Sequence, residues 1–180
     1  MVDYFSILEQ PLRYALDKQA LRTQFLRLQA TYHPDRHMHE PKEQQNQWRQ
    51  KSLLLNEAYR TLSDPYERAT YFIKQHSTLG HAATIHQVDS AFLLWVLEQQ
   101  ETIESYTAES NRAALLTCAQ EYQQRLSAYE TNIENLFNAY DSATLHTAEI
   151  TSQLVRIVNE RRYLRNLLQE IHTQLAQLPA

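Results

Sequence analysis

The sequence contains a single glycine, Gly80, among 180 residues. Phosphate-binding loops, nucleophile elbows and tight β-hairpins depend on glycine for positive φ angles or close backbone approach. No Asn-Gly or Asp-Gly pair occurs either, so the strongest short-range hairpin signal is missing. We therefore exclude a P-loop, a dinucleotide-binding fold and an α/β-hydrolase, and we expect long helices joined by few turns.

Cysteine is equally scarce, because Cys118 is the only one. One thiol excludes an intramolecular disulfide framework and any cysteine-rich zinc module. No apolar run approaches the roughly 20 residues that are needed to cross a bilayer. The N-terminus also lacks the basic and apolar stretches of a secretory signal. From these absences we expect a soluble, intracellular protein with no membrane partner.

The charged residues, which sum to a formal net charge of −4, divide the chain into two parts. Residues 1–75 carry 11 basic and 9 acidic groups, whereas residues 76–180 carry 6 and 12. Between them lies a stretch that holds the only glycine and shows no periodic apolar pattern. We predict a first domain at 1–76, a linker at 77–88 and a second domain at 89–180. Four lysines and an acidic total argue against a nucleic-acid partner.

The first domain shows the start and stop signals of three helices. Asp17 can cap a helix that Pro34 terminates, because the residue before a proline avoids the helical region. Apolar residues recur along this helix at steps of four, three and four: Leu21, Phe25, Leu28 and Tyr32. A second helix starts near Pro41, and Ser63-Asp64-Pro65 stops it and starts a third. Two helices joined by one short loop predict an antiparallel pair.

The second domain carries two long seams in which apolar residues alternate at steps of four and three. The first seam consists of Leu115, Ala119, Tyr122, Leu126, Tyr129, Ile133, Leu136 and Tyr140. The second consists of Ile150, Leu154, Ile157, Arg161, Leu164, Leu168, Ile171, Leu175 and Leu178. We predict a helical hairpin, which a helix starting at Asp89 completes to a three-helix bundle. Arg161 interrupts the second seam, and we consider a pairing with Glu121 or Glu130. The predicted fold class is all-α.

The helix that begins at Asp89 is apolar on two faces rather than one. The first face is formed by Phe92, Trp95, Val96, Gln99, Ile103 and Tyr106. The second face is formed by Leu93, Leu94 and Leu97, next to Glu101 and Glu104. A helix of a three-helix bundle needs a single apolar stripe. The second face therefore either packs against the first domain or stays exposed as a binding surface for another protein.

The loop between the first two helices reads Tyr32-His33-Pro34-Asp35-Arg36. With its surroundings, residues 3–75 resemble a J-domain, the module by which DnaJ-type co-chaperones act on DnaK-type chaperone ATPases. The matching segments are Asp3-Tyr4-Phe5, Tyr32-His33-Pro34-Asp35, Asn56-Glu57-Ala58-Tyr59-Arg60-Thr61-Leu62 and Asp64-Pro65 before Arg68-Ala69. A short acidic helical tail, with no glycine-rich region or zinc module, makes the whole chain similar to the HscB family of iron–sulfur cluster assembly. Two further segments support this: Arg68-Ala69-Thr70-Tyr71 and Asp89-Ser90-Ala91-Phe92-Leu93-Leu94.

The resemblance implies two sets of binding residues. In J-domains the His-Pro-Asp loop and the basic face of the preceding helix dock on the chaperone and stimulate ATP hydrolysis. That role would fall on Tyr32, His33, Pro34, Asp35, Arg22, Arg27 and Arg36. In the HscB family the second domain holds the cluster scaffold protein. That role would fall on Leu93, Leu94, Leu97, Glu98, Glu101, Glu104 and Tyr163. We expect Tyr163 to face outward, because it lies off the Leu164/Leu168 seam.

The partners implied by the resemblance are a DnaK-type chaperone ATPase (HscA-like) and an iron–sulfur scaffold protein (IscU-like). The protein itself is then expected to have no enzymatic activity, no cofactor and no metal. Animal mitochondrial members of the family add an N-terminal cysteine-rich metal module, so the resemblance favours a bacterial, cytoplasmic form.

The same residues are open to other interpretations. His33, His37 and His39 invite a metal site, but no spacing of Cys, Asp or Glu completes a tetrahedral set, so we interpret them as exposed loop residues. Cys118 adjoins a core position and is more typical of a small buried hydrophobe than of a nucleophile. Three hypotheses remain: an adaptor that brings a cluster scaffold to a chaperone ATPase, a general J-protein with another client, and a purely structural helical protein whose His-Pro-Asp is coincidental.

Overall fold

The computed structural model describes residues 3–76 and 88–178, and every regular element in these two ranges is helical. The helices are α1 (Tyr4–Ile7), α2 (Lys18–Tyr32), α3 (Lys42–Ser63), α4 (Pro65–His76), α5 (Ser90–Ala108), α6 (Arg112–Asp141) and α7 (Thr147–Gln177). The all-α prediction is confirmed. None of the described helices combines the length and the apolar character that a membrane span requires. Residues 77–87 of the predicted linker lie outside the described residues, and the division into domains stays a prediction.

Helices α2 and α3 form the predicted hairpin. The Asp17 carboxylate accepts hydrogen bonds from the backbone N–H groups of Gln19 and Ala20, at 2.8 and 3.1 Å, and so caps α2. The helix ends at Tyr32, because Pro34 forces the preceding His33 into an extended conformation with ψ 128°. Four buried leucines close the interior between the two helices: Leu21, Leu28, Leu55 and Leu62.

The stop and restart predicted at Ser63-Asp64-Pro65 is also observed. Asp64 Oδ1 accepts hydrogen bonds from the backbone N–H groups of Tyr66 and Glu67, at 2.8 and 2.9 Å. Pro65 occupies the first position of α4, where its missing N–H costs no hydrogen bond. The chain can therefore turn sharply between α3 and α4 without glycine.

The scarcity of glycine is visible where α6 ends. The N–H of Thr144 bonds the carbonyl of Ala139 at 3.0 Å, which is the closing bond of a Schellman motif. The residue before it, Ala143, has a φ of 52°, in the left-handed region that favours glycine. Ser110 holds the same conformation after α5, with a φ of 54°. Both helix ends therefore carry a Cβ where glycine would be strain-free.

Helix α5 packs across α6 and α7 at one end of their long hairpin, as the three-helix bundle predicts. The buried residues that the three helices share are Phe92, Val96, Ile103, Leu115, Ala119, Tyr122, Leu164, Leu167 and Ile171. On α7 the burial departs from the predicted seam at Leu168, which is only half-buried, whereas its neighbour Leu167, outside the predicted seam, is buried. Helix α7 thus buries a slightly rotated face, and Leu168 is left at the surface of a groove.

The other end of the α6–α7 hairpin packs against α4, so the two predicted domains share one hydrophobic core. Arg68 of α4 is fully buried there. Its guanidinium donates hydrogen bonds to the Leu62 carbonyl at 3.1 Å and to Glu134 Oε1 at 2.6 Å, and lies 5.1 Å from the centre of the Phe137 ring. Burial of a charge without partners costs free energy, and the Glu134 carboxylate offsets that cost for Arg68.

Two interface residues were not explained by sequence. Asp141 accepts hydrogen bonds from the backbone N–H groups of Tyr14 and Ala15, at 3.1 and 2.8 Å, and so ties the α1–α2 connection to the end of α6. The pairing considered for Arg161 is wrong. Its guanidinium lies 3.7 Å from the centre of the Tyr66 ring, and it forms no ion pair with a carboxylate anywhere in the part of the chain that the structure describes. A cation–π contact replaces the expected ion pair.

Candidate functional site: an exposed His-Pro-Asp loop and a leucine groove

The His-Pro-Asp loop leaves the end of α2 as a short 3-10 turn, Pro34–His37. The backbone N–H of Asp35 donates to Nδ1 of His33 at 3.3 Å, so the histidine ring caps the turn that its own loop forms. The side chains of His33 and Asp35 are 51% and 74% exposed. Within the described residues, the His33 ring at 3.7 Å is the only basic group within ion-pair distance of the Asp35 carboxylate, although Lys42 and Arg49 line the same shallow depression. The carboxylate is therefore available to a cation of a partner.

A second layer of side chains holds this loop in place. His37 stacks on Trp48 with ring centres 4.2 Å apart, and its two ring nitrogens face Glu40 Oε1 at 2.9 Å and the Thr31 carbonyl at 3.0 Å. Trp48 Nε1 donates to Glu40 Oε2 at 2.6 Å. The interpretation of His37 as an exposed loop residue is wrong, since it is half-buried between α2 and α3. The spacing His37-x-x-Glu40 before an aromatic residue was the signal that could have revealed it.

This arrangement shifts the acid–base equilibria of both residues. The hydrogen bond to the Thr31 carbonyl, together with the one to Glu40, raises the pKa of His37. A carbonyl and a carboxylate are both acceptors, so only the doubly protonated imidazolium can donate to both. The bond from His37 in turn lowers the pKa of Glu40, and the bond from Trp48 acts in the same direction. The charged pair is thus the form that the loop stabilises.

The predicted basic face of α2 contains two exposed arginines in different situations. Arg27 forms an ion pair with Glu9, and its Nε donates to Gln24 at 3.1 Å, so its charge is partly satisfied within the chain. Arg22 lines a shallow depression between α2 and α3 and has no ion-pair partner among the described residues. Arg36 donates to the Ala30 carbonyl at 3.0 Å and so is folded back along α2. Arg22 is the cation of the three that is most available.

The second apolar face of α5 is exposed. Leu94 and Leu97 are 62% and 55% accessible to solvent, and Leu93 is half-buried. Helix α5 packs against α6 and α7. The alternative in which this face packs against the first domain is therefore wrong for Leu94 and Leu97, and the patch faces solvent.

Between α5 and α7 the patch continues into a groove of about 370 Å³, which we call the leucine groove. It is lined by Leu93, Val96, Leu97, Gln100, Tyr163, Asn166 and Leu167. Tyr163 is half-buried and packs edge-on against Phe92, with ring centres 6.0 Å apart. The structure thus brings Tyr163 beside Leu93 and Leu97, although these residues lie some 70 positions apart in sequence.

The acidic residues predicted for this surface lie on α5 beside the groove rather than in it. Glu98, Glu101 and Glu104 are exposed, and within the described ranges none of them is paired with a cation. The sequence reasoning missed Gln100 and Asn166, which add amide groups to the groove. Their spacing was informative, since Gln100 follows Leu97 by three residues and Asn166 follows Tyr163 by three. The result is an apolar cleft with polar ends and an acidic margin.

Across residues 3–76 and 88–178, no three His, Cys, Asp or Glu side chains converge in a way that could hold a metal ion. The three loop histidines are separated by their contacts, since His37 is committed to Glu40 and Thr31.

Comparison with known proteins gives a consistent result. Residues 3–71 match the family model of the DnaJ domain, and residues 88–172 match the HSCB C-terminal oligomerisation domain. Among solved structures, the chain is similar to the chaperone HscB from Vibrio cholerae, with a TM-score of 0.73 and 24% identity over 99% of this chain and 100% of that one. It is also similar to the human co-chaperone protein HscB, with a TM-score of 0.70 and 22% identity over 100% and 84% of the two chains. The structural likeness shows a shared fold over the whole chain.

Proposed function

The chain belongs to the HscB-type J-domain co-chaperones of iron–sulfur cluster assembly, and we propose that it couples two partners through the His-Pro-Asp loop and the leucine groove. The first partner is a DnaK-type chaperone ATPase of the HscA type, and the second is an iron–sulfur scaffold protein of the IscU type. The observation that carries the proposal is the exposure of Leu94 and Leu97 next to the groove that Tyr163 lines, since a contiguous apolar patch of this kind, unlike a single exposed leucine, is typical of a protein-binding surface.

The chaperone side of the proposal is supported by the chemistry of the loop. Asp35 can form a charge-assisted, bidentate hydrogen bond with an arginine of the chaperone. Pro34 and the cap from His33 fix the loop beforehand, so little conformational entropy is lost on docking. Arg22, and Arg27 after exchange of its Glu9 partner, would provide the electrostatic attraction on α2. We assign Tyr32 and Arg36 a supporting role, because both pack along the helix end rather than outward.

The scaffold side is supported by the shape and margin of the leucine groove. Leu93, Leu97 and Tyr163 form an apolar cleft into which a partner can insert its own apolar side chains. The exposed carboxylates of Glu98, Glu101 and Glu104 would orient a partner that presents basic groups. This surface distinguishes the adaptor hypothesis from that of a general J-protein, because the client of a general J-protein would not require these residues.

The shared core gives the coupling a fixed geometry. Helix α4 of the J-domain region is anchored to α6 through Arg68 and Glu134, and Tyr66 Oη donates to the Leu126 carbonyl at 2.9 Å. A chaperone at the loop and a scaffold at the groove would therefore be held in a constant relative orientation.

A three-component assay tests the proposal. With the IscU-type scaffold immobilised, the HscA-type chaperone should be retained on the resin only when this protein is present. His33→Gln should retain scaffold binding but lose both chaperone retention and stimulation of ATP hydrolysis. His39→Gln is the matched control, since this exposed histidine lies on the same connection outside the proposed contact set. Full ATPase stimulation by the His33 variant would contradict the role of the loop.

A further inference from the structure

A second groove lies on the side of the α6–α7 hairpin that α5 leaves uncovered. It has a volume of about 730 Å³ and we call it the arginine groove. Its defining residues are Tyr66, Leu126, Arg161, Arg162, Arg165 and Leu168. Leu126 and Leu168 are half-buried and give the groove an apolar floor, whereas Arg162 and Arg165 are exposed at its rim. Neither function assigned above uses this surface.

Charge is segregated into this groove. The six basic residues between 76 and 180 are all arginines, and three of them line it, whereas of the twelve carboxylates in the same stretch only Glu130 does. In the part of the chain that the structure describes, none of these three arginines forms an ion pair. A positive groove in an otherwise acidic half of the protein attracts a negative partner.

The groove is also organised in advance. Arg161 is held over the Tyr66 ring at 3.7 Å, so one wall is fixed by a contact between α7 and α4. Two antiparallel helices with an apolar floor between them present the surface that a further helix covers in a four-helix bundle. Arginine is suited to the rim, because its planar guanidinium can bind a carboxylate through two parallel hydrogen bonds.

We propose that the arginine groove binds an acidic helical segment of a partner protein, with apolar side chains of that segment on Leu126 and Leu168 and its carboxylates on Arg162 and Arg165. The groove adjoins the leucine groove, because Asn166 lines both. A partner seated on one surface could thus extend a segment into the other. The proposal nevertheless stands without the scaffold function, since it rests on different side chains.

The test uses the full chain and a synthetic probe. The probe is a fluorescein-labelled peptide of about 18 residues, or roughly 27 Å of helix, with leucines at helical spacing and glutamates elsewhere. Fluorescence anisotropy should show saturable binding that weakens as salt rises, because exposed charge pairs are screened. The double variant Arg162→Glu/Arg165→Glu should bind at least about tenfold more weakly, since attraction becomes repulsion. Arg156→Glu, an exposed arginine of the same helix outside the groove, should bind like the parent.

Further measurements with altered peptides and variants identify the binding site and show whether the peptide's carboxylates are the groups that bind. A peptide with glutamine in place of glutamate should bind at least about tenfold more weakly, whereas Leu94→Ser/Leu97→Ser should leave binding of the glutamate peptide unchanged. Equal binding of the glutamine peptide, or an unaffected Arg162/Arg165 double variant, would overturn the proposal. Competition by millimolar inorganic phosphate at constant ionic strength would identify a small-anion site instead. Loss of binding in the Leu94/Leu97 variant would place the peptide on the leucine groove and also overturn it.

Discussion

Replacement of Leu94 and Leu97 by serine is the perturbation that tests the leucine groove most directly. Both side chains are more than half exposed, and together they present slightly more than one complete leucine side chain to solvent. Burial of one such side chain is worth about 1.5–3 kcal/mol. If the IscU-type scaffold covers both, the double variant should lose about 2–3.5 kcal/mol of binding free energy, which corresponds to a dissociation constant roughly 30- to 400-fold higher.

The assay is isothermal titration of the scaffold into each variant, with thermal unfolding followed by circular dichroism on the same samples. Because both leucines are exposed in the unbound protein, the melting temperature should stay within about 2 °C of the parent. Leu116→Ser is the matched control, since Leu116 is an exposed leucine of α6 outside the leucine groove and should leave the affinity unchanged.

Two results would refute the reasoning. Unchanged scaffold affinity in the double variant would show that the exposed leucines are not the scaffold-binding surface, and the general J-protein hypothesis would then be preferred. A melting temperature lowered as much as by a core substitution would show that these side chains stabilise the fold, so that any loss of binding would be indirect.

Three other predictions concern stability. Glu134→Gln should destabilise the protein by about 3 kcal/mol, because it leaves the buried Arg68 charge uncompensated, and calorimetry should find a melting temperature some 6–12 °C lower. Because the pKa of His37 is raised in the folded protein, its stabilising contribution is fully present below its unfolded pKa of about 6.5 and is lost as the pH rises through the folded pKa. Because the pKa of Glu40 is lowered, its contribution is present above its unfolded pKa of about 4.5 and is lost as the pH falls through the folded pKa. Between pH 5 and 8.5, the melting temperature of the parent should therefore decline more on the alkaline side than the melting temperature of His37→Gln. Parallel curves for the two proteins would contradict the stabilising role of the charged His37. Ala143→Gly should raise the free energy of unfolding by about 1 kcal/mol in chemical denaturation, since it removes the steric strain of a Cβ on a residue with left-handed φ. A loss of stability would show that the greater entropy of glycine in the unfolded chain outweighs this gain.

Much of the helical architecture could be predicted from the sequence, because its signals are local. Asp17, Asp64 and Asp89 each cap the helix that was expected to follow them. The double apolar character of α5 left two alternatives, which only packing could resolve, since burial of a face depends on the position of other elements. The family resemblance selected Tyr163, and the structure places it beside the predicted leucines.

The remaining features depend on contacts between residues far apart in the chain. Nothing near Arg68 in sequence indicates that Glu134 will meet it inside a shared core. Arg161 was expected to need a carboxylate, yet the ring of Tyr66 lies closer and gives a cation–π contact that periodicity does not reveal. His37 was interpreted from its loop position alone, whereas its environment is set by Trp48 on the next helix.

The core that α4 shares with α6 and α7 has a consequence for protein engineering. A fragment that stopped after α4 would expose the wide aromatic and aliphatic surface around Phe72 and Ile73, which is buried in the intact chain. Such a fragment should precipitate or unfold rather than behave as a transplantable cassette. A chimera that carries a foreign J-domain here would have to keep the surface that packs against the α6–α7 hairpin as well as the His-Pro-Asp loop that follows α2.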